Sequence, residues 1–235
     1  MNDETRAVAE RYARRASHVI GDRYSVLRPE VWQMLQERQR AMLRRFKAQG
    51  LNDLAALRVT EVGCGSGGNL LELLRLGFLP EHLTGLELLP ERHATARHAL
   101  PEATRVWLGD ATAAPVELVP PASQDIVLQS TVFSSLLDDA FQQRLADVMW
   151  SWLKPDGAVL WYDFTVNNPR NRDVRGVSLA RVRQLFPQAR IKSYRVTLAP
   201  PLSRAVCQLH PALYGVFNAL PLLRTHVLVW AEKPI

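Results

Sequence analysis

Two hydrophobic periods alternate along the chain. Short apolar runs with β-branched residues fall at Leu57–Val62, His82–Leu88, Ala103–Leu108, Asp125–Gln129 and Ala158–Phe164, and two more at Ile191–Leu198 and His226–Glu232. These read as strands. The stretches between them repeat their apolar positions at helical spacing. Residues 3–18 form one such stretch, with Val8, Tyr12 and Ala16 on one face. A second opens at Pro29, a residue favoured in the first turn of a helix, and runs through Val31, Leu35, Met42, Leu43 and Phe46 to Gly50. Its other face is basic, with Arg38, Arg40, Arg44, Arg45 and Lys47. Further helices are predicted after Asn69, over Pro90–Leu100, from Asp138 or Asp139 to Leu153, over Ser178–Phe186, and near Leu202–Leu220 with a break at Pro211. Lys154-Pro155-Asp156-Gly157 reads as a turn that ends the Asp139 helix. Alternating strands and helices predict an α/β fold with a parallel sheet covered on both faces. The long excursion between the last two strands permits an antiparallel return.

Polar residues suited to ligand binding gather at the ends of these strands. Four glycines follow the first strand within six residues, Gly63, Gly65, Gly67 and Gly68, and Asn69 then opens a leucine-rich helix. Glycine allows positive φ and close approach of a ligand to the backbone. A helix N-terminus adds unpaired N–H groups. Glu87, Asp110 and Gln129 end the second, third and fourth strands. Ligands of open parallel sheets bind at such ends. The glycines fit two templates. Gly63 to Gly68 contains G-x-G-x-x-G with Glu87 downstream at the distance of a ribose-binding acid, the pattern of a dinucleotide site. Glu61 to Gly67 reads E-x-G-x-G-x-G, which places an acid inside the strand.

Composition narrows the class. The chain has 235 residues, 47% hydrophobic and 22% charged, which suits a globular protein with a large core. No apolar run reaches membrane-spanning length, and the polar start MNDETRAVAERYARR lacks a secretory core. A cytoplasmic protein is therefore expected. Cys64 and Cys207 have neither metal-ligand spacing nor a disulfide framework, so no metal is expected. The net charge of +6 is uneven: +5 over residues 1–50, −8 over 51–169, +8 over 170–205 and +1 over 206–235. Basic flanks around an acidic centre favour an anionic partner.

The ordered landmarks EVGCGSG at 61–67, LTGLEL at 83–88, LGDAT at 108–112, DIVLQST at 125–131 and WLKPDGAVLWYDF at 152–164 make the chain similar to class I S-adenosylmethionine-dependent methyltransferases. The resemblance covers about residues 57–164 and the final strand pair. It implies a Rossmann-like, mostly parallel sheet of seven strands, the last pair antiparallel, with helices on both faces. Residues 1–50 would be an N-terminal helical lid. Residues 51–235 would be the S-adenosyl-L-methionine-binding domain, carrying a C-terminal excursion over 200–224. The resemblance also implies roles. Gly63, Cys64, Gly65 and Gly67 would pass close to the methionine and ribose of the cofactor. Glu61 would lie beneath them. Glu87, with Leu88, would take the ribose hydroxyls. Asp110 and Ala111 would meet the adenine, and Gln129 and Ser130 would line the methionine side.

Methyl transfer from a sulfonium chiefly requires alignment and exclusion of water. A hydroxyl acceptor gains from a general base. Tyr162 and Asp163 at the end of the fifth strand and His226 at the start of the last are the candidates. Tyr24, Asn167, Asn168 and Arg170 are candidate acceptor contacts, and His18 lies near Tyr24. The stretch after strand four reads Gln129-Ser130-Thr131-Val132-Phe133, in place of the Asn-Pro-Pro-aromatic motif that in this family holds planar amines. A small-molecule or sugar hydroxyl, carried on an anionic acceptor such as a phosphate-bearing sugar, is therefore expected. The segments after Phe164 are similar to those of bacterial methyltransferases of polysaccharide and natural-product assembly. An RNA methyltransferase, a dinucleotide oxidoreductase and a non-catalytic cofactor-binding scaffold are the alternatives, though nucleic acid is not the expected partner. The apolar excursion has three readings: acceptor pocket, homodimer contact, or peripheral membrane contact.

Overall fold

The computed structural model describes residues 3–18, 25–167 and 171–235. Seven strands form one sheet: β1 (Val59–Val62), β2 (Leu83–Glu87), β3 (Arg105–Leu108), β4 (Gln124–Ser130), β5 (Leu153–Phe164), β6 (Arg190–Leu198) and β7 (Arg224–Glu232). Their order across the sheet is β3-β2-β1-β4-β5-β7-β6. Pairing is parallel from β3 through β5, and β7 runs antiparallel to both neighbours. The Rossmann-like reading holds, including the antiparallel return. The strand order reverses between β1 and β4, so their C-terminal ends open a crevice at the centre of the sheet.

The central strands are buried on both faces, as their near-continuous apolar runs require. On one face Val62, Val127, Val159 and Trp161 pack against α5 (Asp139–Trp152) and α6 (Leu179–Leu185), with Val8 of α1 (Asp3–His18) joining them. On the other, Leu83, Ile126, Leu128, Leu160 and Trp230 meet α2 (Pro29–Ala48), α3 (Gly68–Leu76) and α4 (Pro90–Ala99). Local sequence fixes the starts of these helices. Pro stands in the first turn of α2 and α4. The Asp138 carboxylate accepts from the Phe141 N–H at 2.9 Å, and the Ser178 hydroxyl from the Arg181 N–H at 3.2 Å, each satisfying an orphan donor.

The segment Lys154–Gly157 departs from its expected role. It is not a free turn after α5 but part of β5, where the register against β4 shifts between Gln124 and Ile126. Asp156 takes φ 62° there. The Asp156 N–H donates to the Lys233 carbonyl at 3.0 Å, the Lys233 N–H to the Gly157 carbonyl at 2.8 Å, and the Lys154 ammonium to Asp125 at 2.8 Å. These bonds hold the bulge inside the sheet.

The excursion between β6 and β7 is two helices, α7 (Pro200–Leu209) and α8 (Leu213–Asn218), and a short turn over Pro221–Leu223. They share a small satellite core with Leu198, Val206, Cys207 and Tyr214, to which Met34 of α2 contributes.

Candidate functional site

The glycine turn after β1 is shaped by its backbone. Gly63, Gly65 and Gly67 take φ 64°, 58° and 85°. At Gly63 a Cβ would stand 2.5 Å from Val132 Cγ2, so only glycine brings the ends of β1 and β4 this close. Gly67 caps α3 in the left-handed conformation.

Glu87 ends β2 and turns its carboxylate back to this turn. Its Oε2 accepts from the Gly65 N–H at 2.7 Å, and its Oε1 from the Leu89 N–H at 2.8 Å. A carboxylate has about four acceptor sites, so each oxygen retains capacity. Asp110 follows β3. Its Oδ1 accepts from both the backbone N–H and the hydroxyl of Thr112, at 2.9 and 2.8 Å. This fixes the side chain and leaves Oδ2 for another donor.

These ends surround a cavity of about 120 Å³. Of the residues expected at the cofactor, Gly63, Glu87, Leu88, Asp110, Ala111 and Ser130 line it. The expected site residues do not include the rest of its lining: Thr5, Val8 and Tyr12 of α1, in the segment expected to form a lid, Thr131 and Val132 after β4, and Arg92 of α4. The Arg92 guanidinium lies 4.4 Å from the centre of the Tyr12 ring. Glu4 and Arg11 hold α1 in place. The pair meets at 2.6 Å, Arg11 donates to the Ser135 carbonyl at 3.0 Å, and Glu4 accepts from the Leu137 N–H at 2.7 Å. Thr131 takes φ 59°. A β-branched residue with positive φ is a strained exception.

The remaining expected cofactor residues support the turn from behind and do not line the cavity. Cys64 packs into the core, 2.7 Å from where a Cβ on Gly85 would sit, and burial pushes its thiol pKa far up. Gly65 and Gly67 contribute backbone only. Gln129 is fully buried and its Oε1 accepts from the Val132 N–H at 3.1 Å, so it holds the turn after β4. Glu61 is fully buried beneath the glycines, where Asn69 Nδ2 donates to its Oε1 at 2.5 Å. Burial lifts its pKa to about 8 despite that bond, and its Oε2 has no protein partner.

Asn69 links this acid to a residue the sequence did not single out. Arg38 of α2 donates to Asn69 Oδ1 at 2.6 Å, to Glu72 at 3.1 Å and to the Ser130 hydroxyl at 3.2 Å. Its place on a basic helix face gave no local signal, because its partners lie more than thirty positions away. Arg38, Ser130 and Tyr162 also line a second cavity of about 20 Å³ on the α2 side of the sheet.

None of the three candidate bases lines the main cavity, and Tyr162 lines the second. Asp163 is fully buried; its Oδ2 accepts from the Ser134 N–H at 3.1 Å and its Oδ1 from the Phe164 N–H at 3.0 Å. Burial raises its pKa to about 7. The Tyr162 hydroxyl bonds Thr197 Oγ1 at 2.8 Å, and burial pushes it up to about 12. His226 stacks on Tyr162 with ring centres 5.0 Å apart, and burial lowers its pKa to about 4. β7 pairs with this end of β5, and all three side chains are buried. Asn167 is exposed, and its Oδ1 accepts from the Gly176 N–H at 2.8 Å. Tyr24, Asn168 and Arg170 lie outside the described residues, as does the His18 side chain. Among the described residues no cluster of His, Cys, Asp and Glu has the form of a metal site.

Residues 59–157 match the profile of a methyltransferase-domain family. No curated protein matches the chain. Among solved structures, one from Burkholderia thailandensis is 1,6-didemethyltoxoflavin-N1-methyltransferase with bound 1,6-didemethyltoxoflavin and S-adenosylhomocysteine. It is 16% identical, covers 100% of this chain and 92% of its own, and superposes with a TM-score of 0.65. A SAM-dependent methyltransferase from Archaeoglobus fulgidus is 14% identical, over 84% of this chain and 96% of its own, with a TM-score of 0.58. The [4+2]-cyclase SpnF is 15% identical, over 82% of this chain and 80% of its own, also with a TM-score of 0.58. A shared fold thus leaves the reaction open, and the family profile, over residues 59–157, supports methyl transfer. The chain carries a methyltransferase domain of class I architecture, an enzyme whose cofactor is S-adenosyl-L-methionine.

Proposed function

We propose that the enzyme methylates a small molecule bound between α1 and the end of β4. The observation that carries this reading is the two-sided cavity. Its lining includes the carboxylate residues Glu87 and Asp110 from the ends of β2 and β3, and the hydroxyl residues Tyr12 of α1 and Thr131 and Ser135 after β4.

The carboxylate side fits the cofactor's adenosine. Each oxygen of Glu87 has room for one ribose hydroxyl, and Asp110 Oδ2 for the adenine amino group. Gly63 and Ser130 line the same cavity, on the side that would take the methionine end. When bound, the cofactor supplies a methyl group already activated on sulfur, so the protein's work is to orient, desolvate and align. In this reading α1 is a lid, held shut by Glu4 and Arg11.

Asp163, Tyr162 and His226 are engaged elsewhere, so the expected sugar hydroxyl loses its candidate bases. An acceptor whose attacking atom needs no protein base fits better: an acidic hydroxyl, as on a phenol or enol, or a ring nitrogen. The Burkholderia enzyme, an N1-methyltransferase with its acceptor bound, is a precedent for nitrogen. The test is transfer from methyl-labelled cofactor to a panel of phenols, nitrogen heterocycles and sugar nucleotides. Label in a phenol or heterocycle is the expected result. Label confined to sugar nucleotides, or to added RNA, would overturn it.

A further inference from the structure

The excursion between β6 and β7 has an unusual surface. Leu209 is 80% exposed, Val216 65%, Leu220 56% and Leu222 89%. The exposed positions of α7, α8 and the turn that follows also include Pro201, Ala205, Ala212 and Ala219. Arg204 is the one Lys or Arg among residues 199–223, and there is no Asp or Glu. Single exposed leucines need no explanation, but a contiguous excursion that presents several does. Solubility alone would place charges there.

The base of the excursion is cationic. Arg224 donates to the Asn218 carbonyl at 2.7 Å and to the Arg195 carbonyl at 2.8 Å, which sets its guanidinium between α8 and β6. Lys192 and Arg195 are exposed on β6, an edge strand. None of Lys192, Arg195, Arg204 and Arg224 forms an ion pair among the described residues. Residues 174–231 hold eight Lys and Arg and not one Asp or Glu.

We propose that α7, α8 and the Pro221–Leu223 turn dock the enzyme on an anionic lipid surface, with Leu209, Val216, Leu220 and Leu222 entering the headgroup region and the basic residues meeting lipid phosphates. Charge complementarity selects this occupant. A surface helix of this type binds by buried apolar area together with attraction to anionic lipid. A symmetric second copy would bring the same uncompensated cations face to face. RNA has no use for aliphatic tips, since its bases stack on aromatic or guanidinium planes. The satellite core, anchored on Met34, Val206 and Tyr214, keeps the excursion folded without those tips. The site is distinct from the methyl-transfer cavity and independent of the acceptor.

The experiment is co-sedimentation of the full chain with vesicles of phosphatidylcholine alone and of equimolar phosphatidylcholine and phosphatidylglycerol, at low and at physiological salt. Binding to the mixed vesicles at least about tenfold tighter than to the neutral ones is expected, weakening with salt. Leu209→Glu with Leu222→Glu should remove it, and Arg195→Ala should weaken it about fivefold. Both leucines point into solvent, so the melting temperature and its rise with S-adenosylhomocysteine should be unchanged, which separates this proposal from the assignment of the cavity. Equal or absent binding to the two vesicle types would overturn the proposal. So would a dimer in light scattering that the leucine variants dissociate, or salt-steep RNA binding that they leave intact.

Discussion

Two ends of one sheet carry similar chemistry and put it to opposite uses. At the ends of β2 and β3, Glu87 and Asp110 receive fixed donors from the backbone and keep acceptor capacity toward a cavity. At the facing ends of β5 and β7, Tyr162, Asp163 and His226 are as rich in titratable groups, yet each is turned inward and bonded or stacked within the protein. The difference lies in what covers the strand. After β2 and β3 the chain leaves through a glycine or a short turn and the crevice stays open. After β5 the antiparallel β7 lies alongside, and the loop at Ser134 folds over Asp163. A polar residue at a strand end becomes a binding group only where the neighbouring segments leave room.

The largest expected effect comes from breaking the closed end. Asp163→Ala would strand the buried Ser134 and Phe164 N–H groups and lower stability by about 3 kcal/mol, on the scale of an unsatisfied buried donor. Urea unfolding measures this, and affinity for S-adenosylhomocysteine in the folded fraction should hold. At the open end the pattern reverses. Glu87→Ala should cost about 1–3 kcal/mol of cofactor affinity, with a smaller change in melting temperature. A variant of either residue that moved both quantities equally would erase the distinction.

Arg38→Ala sharpens the comparison between these ends, because Arg38 touches Ser130 at the cavity and Asn69 behind it. A loss of about 1–2 kcal/mol in stability is expected, from charge-assisted bonds that are partly solvated. Cofactor affinity should fall by less than in Glu87→Ala, as calorimetry of both variants would show.

At mildly acidic pH the smallest effect is expected at Glu61. Glu61 has its folded pKa raised from 4.5 to about 8. The folded state therefore holds a proton that the unfolded state releases, and stability from this group is full below pH 4.5 and lost as pH rises through about 8. Glu61→Gln keeps the acceptor for Asn69 and cannot ionise. At pH 5 it should melt within a degree or two of the parent, and its stability should decline less on the way to pH 8. Thermal melts across that range check it.

Much of this was legible in the chain itself. Strand ends with a glycine or an acid are local signals, so the turn at Gly63–Gly67 and the acids Glu87 and Asp110 stood out. The acid in β1, Glu61, separated two templates that the glycines satisfied equally. The α1 wall of the cavity did not stand out, because Thr5 and Tyr12 reach it only through the Glu4 and Arg11 clamp on a loop more than a hundred residues away. Arg38 was one of several arginines on a helix face until the sheet chose it. Thr131 was hidden because positive φ is not written in a threonine. The β5 end is less legible for a related reason. Sequence shows that Asp163 ends a strand, whereas the Ser134 N–H that engages it comes from a loop 29 positions away.

The account turns on where the cofactor is held. Calorimetric titration of S-adenosylhomocysteine into the parent protein and into Glu87→Gln tests this most directly. Glutamine cannot accept with both of its terminal atoms, so the account predicts saturable binding to the parent and at least about tenfold weaker binding to the variant. Equal affinity in a folded Glu87→Gln variant would contradict it.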